Sequence, residues 1–317
     1  MATVSSTTVL TTPGNLTSTM QIYYDRVFLE RSMMAKRYDY LAGSKKVPKN
    51  SGKVVYFNRM TAYTPTTTAL TEGATPTGVN STSSIVSGTL ASYGSFEQIS
   101  TLFQMTSIDA GLKELTENFG QFAGESMDTY LRNIMFAGAT EQFAGSNTKL
   151  TGIATSNVLS VTELRKAVLT LKTNKAPTFE SGMYRGVISA HGIYNLQGDT
   201  TAGNWLTVNA ATSRQNSEEI KRGYIGRIAG IDLVESNNEL TQASTTTVYS
   251  NFIAGKGAVA EVDISGSGQS HIIVKKPGST STDNPLDMYS TVGWKVKAYT
   301  AVVLNGDWLI DIQCGTS

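Results

Sequence analysis

Cysteine is almost absent from this chain. Cys314 stands alone, so no disulfide can form within the molecule. Histidine is nearly as scarce. His191 and His271 are the only two, and with the scattered carboxylates they show no metal-ligand spacing. Charge is thin, at 16% of residues, and balanced to a net +1. Wholesale coating by nucleic acid needs a strongly basic face, which this balance does not supply. Association with further copies meets little net repulsion. Long hydrophobic runs are missing too, and none approaches the roughly 20 residues that span a bilayer. No basic segment followed by an apolar stretch opens the chain as a signal peptide would. The expectation is a soluble protein made in a cytoplasm, with no membrane partner. Its 317 residues allow a large core and roughly two domains.

What is present is patterned. Residues 1–15 are Ser/Thr-rich and uncharged beyond the terminus, which suits a flexible or partner-ordered arm. A helix is expected from Leu16 to Leu41, with apolar residues on two sides and a stop at Gly43. Strands are expected over Lys53–Tyr63 and Ile85–Met105. The connection Thr64–Ser84 has almost no large apolar residue and reads as the end of a two-stranded arm reaching out of the body. Ser107–Phe136 reads as a long amphipathic helix, with Ser107 as its cap and Asp109 in its first turn. Ile108, Leu112, Leu115, Phe119 and Phe122 form its apolar side; Glu114, Glu117, Glu125 and Asp128 form an acidic exterior. Gly120, Gly124 and Gly138 each weaken the helix by about 1 kcal/mol relative to Ala and invite a bend. Ser160-Val-Thr-Glu163 is a capping box that opens another helix, ended by Pro177. Beyond it come a strand at Tyr184–Ser189, a helical turn near Tyr194, and a polar helix over 214–220. Strands follow at Val248–Ala254 and His271–Lys275, and a turn-rich linker at Pro277–Pro285. The last two strands, Gly293–Leu304 and Trp308–Gln313, are joined by Asn305-Gly306, a strong hairpin signal. The class is mixed α+β.

No stretch carries chemistry. Gly223-Tyr-Ile-Gly226-Arg-Ile-Ala-Gly230 invites reading as a nucleotide loop, but its glycines precede a strand, Ile231–Val234, and not a helix. Gly223, Gly226 and Gly230 are read instead as structural glycines for tight turns and close packing. Gly255-Lys-Gly257 lacks the spacing of a phosphate loop. Ser189 and His191 would face the same way on one strand with Asp199 nearby, yet no nucleophile elbow supports a triad, and a structural histidine is the reading. Cys314 is read as a structural thiol. No catalytic, cofactor-binding or metal-binding residue is assigned. Charge placement says more. Residues 25–53 carry a net +5, including Lys45, Lys46 and Lys49, while residues 97–128 carry a net −5. Two such surfaces in one neutral chain suggest complementary contacts within or between subunits, with DNA contact as the alternative for the basic one.

The order of these segments resembles the major capsid proteins of tailed bacteriophages, with their Hong Kong 97-like fold. Leu70-Thr-Glu72-Gly73 lies near the tip of the arm and Tyr93-Gly94-Ser-Phe96 on its return strand, as in the extended E-loop of that family. The helix after Ser107 resembles the spine helix. Gly223–Ser236 is similar to a segment of the axial domain, and Val292-Gly-Trp-Lys-Val-Lys-Ala-Tyr299 with Ala301-Val-Val-Leu-Asn305 to the closing strands. The resemblance implies an α+β capsid fold divided as follows: arm and helix (1–42), E-loop hairpin and base (43–105), peripheral domain (106–176), axial domain (177–276), and strands completing the peripheral domain (277–317). It implies a structural, non-enzymatic subunit of the virion capsid, made in the bacterial host cytoplasm. Such subunits assemble into homo-pentamers and homo-hexamers of an icosahedral shell around double-stranded DNA, and a procapsid matures by expansion as the spine helix flexes. With only a short arm after Met1, a separate scaffolding protein is expected, along with a portal and a possible decoration protein. DNA contact would be non-specific. Lys45, Lys46, Lys49, Leu70, Glu72, Gly73, Glu114, Glu117, Glu125 and Asp128 are the expected assembly contacts. The alternatives are an encapsulin-type nanocompartment shell and, in another class, a β-rich phage tail or surface-binding module.

Overall fold

The structure is a computed structural model that describes residues 18–60, 63, 65–73, 75, 78–80, 82–102, 112–199, 224–264, 270–275, 286 and 288–315. The expected arm at 1–15, the helix start at Ser107, the helix over 214–220, Gly223 and the linker at 277–285 lie outside these residues.

A five-stranded sheet is built around β13 (Tyr289–Val303). Along one edge runs β4 (Ala91–Ser100), antiparallel from Tyr289↔Ser100. Along the other lie β12 (His271–Lys275) and, further on, β11 (Val259–Ile264). β1 (Ala42–Val47) adds in parallel to β11 at the edge. One sheet face packs against two helices, Ser18–Ala35 and Leu112–Gly138. Phe28, Phe119, Ala123 and Met127 meet Ile99, Ile272, Val292, Trp294 and Val296 there. The period-2 alternation of Val292, Trp294 and Val296 is what turns these residues to one side.

A second, seven-stranded sheet has the order β5-β14-β10-β6-β8-β7, with β9 also on β10. Its strands are β5 (Thr140–Phe143), β6 (Tyr184–Ser189), β7 (Tyr224–Ile228), β8 (Ile231–Ser236), β9 (Thr241–Ala243), β10 (Thr247–Ala254) and β14 (Leu309–Gly315). β10 and β14 are almost wholly buried, as central strands covered on both faces must be. Helices Val161–Thr173 and Ala190–Gly198 contribute Leu164, Val168, Leu171, Ile193 and Leu196 to one core with Tyr184, Ile188, Ile253 and Ile312. The third unit is a two-stranded ribbon, β2 (Val54–Met60) against β3 (Ser83–Thr89).

Several expectations from the sequence are corrected. The first helix stops at Ala35, and a 3-10 turn at Tyr38–Tyr40 leads into β1, which runs through Gly43. The return strand is broken at Leu90, which is buried while its N–H donates to the Lys53 carbonyl (2.9 Å). Ser160 accepts a hydrogen bond from the Glu163 N–H, but the helix it caps ends at Thr173, with Lys175 at φ 53°, before Pro177 is reached. Asn305-Gly306 does not close a hairpin: β13 and β14 belong to different sheets. The Asn305 side chain accepts from the Asp307 N–H and starts a 3-10 turn that carries the chain between them. β5 and β14 join the seven-stranded sheet from outside 177–276, and β11 and β12 join the five-stranded sheet from inside it.

Candidate assembly surfaces

Most of the ribbon is exposed. Of β2 and β3 only Phe57 and Gly88 are buried. Phe57 and the adjoining Leu90 anchor the ribbon base on Ala260, Val262, Ala298 and Val302. Outward from that anchor, Tyr56, Met60, Ile85, Tyr63 and Val79 are exposed, and so is Leu70 at 77%. Glu72 and Gly73 are exposed beside it, Gly73 at φ 81°, where a side chain would be strained. Large apolar groups presented in a row by a segment without a core of its own are the mark of a surface meant to be covered.

The basic and acidic surfaces divide unevenly. Lys45 and Lys46 are exposed on β1, an edge strand, and Lys49 is exposed in the turn after it. Lys45 Nζ lies 4.8 Å over the Phe57 ring, so this lysine also touches the ribbon base. On the long helix Glu114 and Glu125 are exposed. Glu117 meets Arg31 of the first helix at 3.4 Å, a pairing inside the subunit. Asp128 departs from the expected acidic exterior. It is 2% exposed and accepts hydrogen bonds from the N–H groups of Arg37 (2.7 Å) and Tyr38 (2.8 Å) and from the Asn238 amide (3.1 Å). Burial pushes its pKa up, and these three donors pull it back. Sequence reasoning also missed Arg132. One turn beyond Asp128, its guanidinium donates to the Asn238 carbonyl, the Asn238 side chain and the Glu239 carbonyl. The i, i+4 spacing of Asp128 and Arg132 was the available signal. Together they tie the long helix to the segment after β8. A polar cleft of about 490 Å³ opens beside them, with Arg31, Arg37, Glu125 and Glu235 on its walls. Charges of both signs line it, so nothing there selects a ligand of one sign.

The long helix runs unbroken through Gly120 and Gly124. A Cβ on Gly120 would lie 2.7 Å from the Phe28 carbonyl oxygen, and one on Gly124 would lie 2.5 Å from that of Ser32. These glycines therefore permit backbone-to-backbone contact between the two helices. In the glycine-rich segment, Gly226 is buried in β7 where the register shifts against β8. Ala229 (φ 52°) and Gly230 (φ 84°) form the two-residue turn between β7 and β8, with the positive φ values such a turn requires.

The side chains that a triad would need are held apart in other tasks. Ser189 closes β6 while His191 lies in the following helix, so the two do not share a strand. Ser189 Oγ accepts from the Gly192 N–H as that helix's cap. His191 stacks on Tyr249 and pairs with Glu239 (3.1 Å). Asp199 accepts from the Val161 N–H (2.9 Å). Cys314 is buried, its thiol pushed up to about 12 by burial. Among the described residues no three His, Cys, Asp or Glu side chains gather, and no helix is long and apolar enough to cross a membrane.

No protein-family model and no curated protein matches this sequence. Solved structures do match. The capsid protein of Ralstonia phage GP4 superposes with a TM-score of 0.66 at 14% identity, over 87% of each chain. That of cyanophage Pam1 does so with 0.61 at 14% identity, over 99% of this chain and 98% of its own. The head structure of Helicobacter pylori bacteriophage KHP40 gives 0.63 at 9% identity, over 89% and 91%. The chain has the α+β Hong Kong 97-like fold of phage capsids.

Proposed function

We propose that this chain is the major capsid subunit of a tailed bacteriophage, assembling into pentamers and hexamers of an icosahedral head around double-stranded DNA. The observation that supports it most is the exposed β2–β3 ribbon, carried on a fold otherwise shared with phage capsid proteins along nearly the whole chain. A ribbon so exposed loses entropy when ordered and gains its burial from a neighbouring copy, so its stability follows mass action. The role is structural and not enzymatic. Lys45, Lys46, Lys49, Leu70, Glu72, Gly73, Glu114 and Glu125 are the proposed contacts, and Gly226 and Gly230 serve the fold. Portal, scaffolding and decoration proteins and packaged DNA are the proposed partners in a virion, with production in the host cytoplasm. Electron microscopy of the purified chain, and of the chain in lysate from infected cells, tests the reading. Uniform shells holding nuclease-protected DNA are expected. Shells filled with protein cargo would point to a nanocompartment, and a monomer under all conditions would remove both.

A further inference from the structure

Three tyrosines from three elements meet on the helix-covered face of the five-stranded sheet. Tyr93 comes from β4, Tyr130 from the long helix and Tyr299 from β13. Backbone geometry brings them together. Tyr93 pairs with Val296, and Val292, Trp294 and Val296 all turn to the helices. Strict alternation would next turn Ala298 to that side, yet Ala298 packs against the ribbon base with Phe57 and Leu90. The register against β4 shifts between Val296 and Tyr299. An extra residue reverses the faces that follow it, and so Tyr299 returns to the side of Tyr93 and Tyr130.

The contacts among the three rings are not alike. Tyr299 meets Tyr130 at 5.8 Å and Tyr93 at 6.5 Å between ring centroids, both edge to face. In that arrangement the edge of one ring addresses the π face of the other. Tyr299 is 6% exposed, and its hydroxyl donates to Glu261 Oε1 at 3.0 Å. Tyr93 and Tyr130 lie closer, at 5.0 Å, with their planes tilted by 52°. Burial and the Tyr130 hydroxyl push the Tyr93 phenol pKa up, so the hydroxyl-bearing edges of these two rings lie side by side. The ring carbons beside a phenol oxygen are where an oxidised tyrosine carries unpaired electron density. Both residues are half-buried, so a small oxidant reaches them while Tyr299 backs them from the interior.

We propose that Tyr93 and Tyr130 form an oxidative modification site, at which a one-electron oxidant couples the two rings into dityrosine. Each phenol gives one electron to the oxidant and its proton to water. The two phenoxyl radicals join through the carbons beside their oxygens, forming one C–C bond. The hydrogen on each joined carbon moves to the neighbouring oxygen, which restores both aromatic rings. Two equivalents of oxidant are reduced for each link. The link ties β4, the strand that returns from the ribbon, to the long helix. It does so in a chain whose single cysteine excludes an internal disulfide. The site stands on the packing of one subunit and is independent of the shell reading.

Controlled oxidation tests it. Dilute full-length chain is treated with photo-oxidised tris(bipyridyl)ruthenium and persulfate. Dityrosine is read by fluorescence, and the link is mapped by mass spectrometry of digested peptides. The expected product runs as a monomer on a denaturing gel, with the Tyr93 and Tyr130 peptides joined and lighter by two hydrogens. Tyr93→Phe and Tyr130→Phe keep the ring packing, with circular dichroism as the check on folding. Each is expected to lose about tenfold in dityrosine fluorescence, because held proximity drives the coupling. Tyr56→Phe and Tyr194→Phe, at exposed positions, should keep it. A closed loop restricts the unfolded chain, so oxidation should raise the melting midpoint of the wild-type chain and leave that of Tyr93→Phe unmoved. Undiminished fluorescence in the two inner Phe variants overturns the proposal. So does a link that maps to Tyr299 or to a second chain, an outcome that needs no variant to read. Folded wild-type chain that yields no dityrosine under conditions that couple free tyrosine overturns it too.

Discussion

Asp128 and Asp311 show how one residue type serves two ends when buried. Asp128 stays in place because it accepts from backbone N–H groups of Arg37 and Tyr38 that would otherwise lack a partner on that side. Asp128→Ala removes the acceptor and leaves buried donors behind, so a loss of about 3 kcal/mol is expected in urea unfolding. Asp128→Asn keeps one oxygen and should lose less, and Glu125→Ala, on exposed surface, under about 0.5 kcal/mol. Asp311 lies at the centre of the seven-stranded sheet. One oxygen accepts from Ser250 Oγ (3.1 Å) and the Gln313 amide (3.0 Å). Burial lifts its pKa to about 7, with Glu141 adding to the rise. A folded pKa above the unfolded one means that the folded state holds the proton longer. Stability from this group is full below about pH 4 and falls as pH rises toward 7, after which the loss is complete. Asp311→Asn should therefore raise the melting temperature at pH 8 while leaving it nearly unchanged near pH 4, as read by thermal melts across pH. Neither role was legible in the sequence. Helical periodicity put Asp128 in a row with Glu125, because spacing gives the angle around a helix and not what stands beside it. The second half of that helix is enclosed by Tyr38 and Asn238 as well as by the sheet, so a position that would face water in an isolated amphipathic helix is interior here.

Single elements were easier to read, and their failures have a common cause. The strands at Tyr184–Ser189 and His271–Lys275 and the Ser160 cap depend on local pattern and are found where that pattern puts them. The Asn305-Gly306 turn failed because a turn signal specifies a local reversal, while strand partners are chosen by distant segments. β14 finds β10 more than fifty residues away in sequence. The helix glycines failed in the same way. Weak helix propensity is visible in sequence, whereas the backbone that needs the space belongs to Phe28 and Ser32. Their exchange gives a prediction with a reversed sign. In an exposed helix Gly→Ala stabilises by about 1 kcal/mol. At Gly124 the new methyl would press on the Ser32 carbonyl and Ala35 Cβ (2.7 Å), so the two helices must separate. Overpacking of this kind costs about 1–3 kcal/mol. Gly124→Ala should lower the unfolding midpoint and speed proteolytic cutting within Ser18–Ala35, while Ala substitution at the exposed Gln121 should do neither.

At the scale of the molecule, fold order was legible where single motifs were not, because a succession of weak signals constrains topology more than any one of them. What the sequence left open was the partition of strands between two sheets, which depends on long-range pairing. Beyond its base the ribbon lies outside the cores, so folding and the proposed association are separable. Its pairing runs from Val54↔Thr89 to Met60↔Ser83, and its anchors Phe57 and Leu90 sit at the base. Deleting Thr66–Asn80 leaves every one of these contacts in place and shortens a loop, a change that costs the folded state little and slightly reduces closure entropy. It removes Leu70, Glu72 and Val79, which are exposed in the single chain. The deleted chain should melt within a few degrees of the parent monomer, yet remain monomeric in light scattering at concentrations where the parent forms shells. Assembly with undiminished yield would show that the loop is dispensable. A deletion product that aggregates unfolded would show that the loop supports its own subunit's core, and the separation of folding from association would be lost.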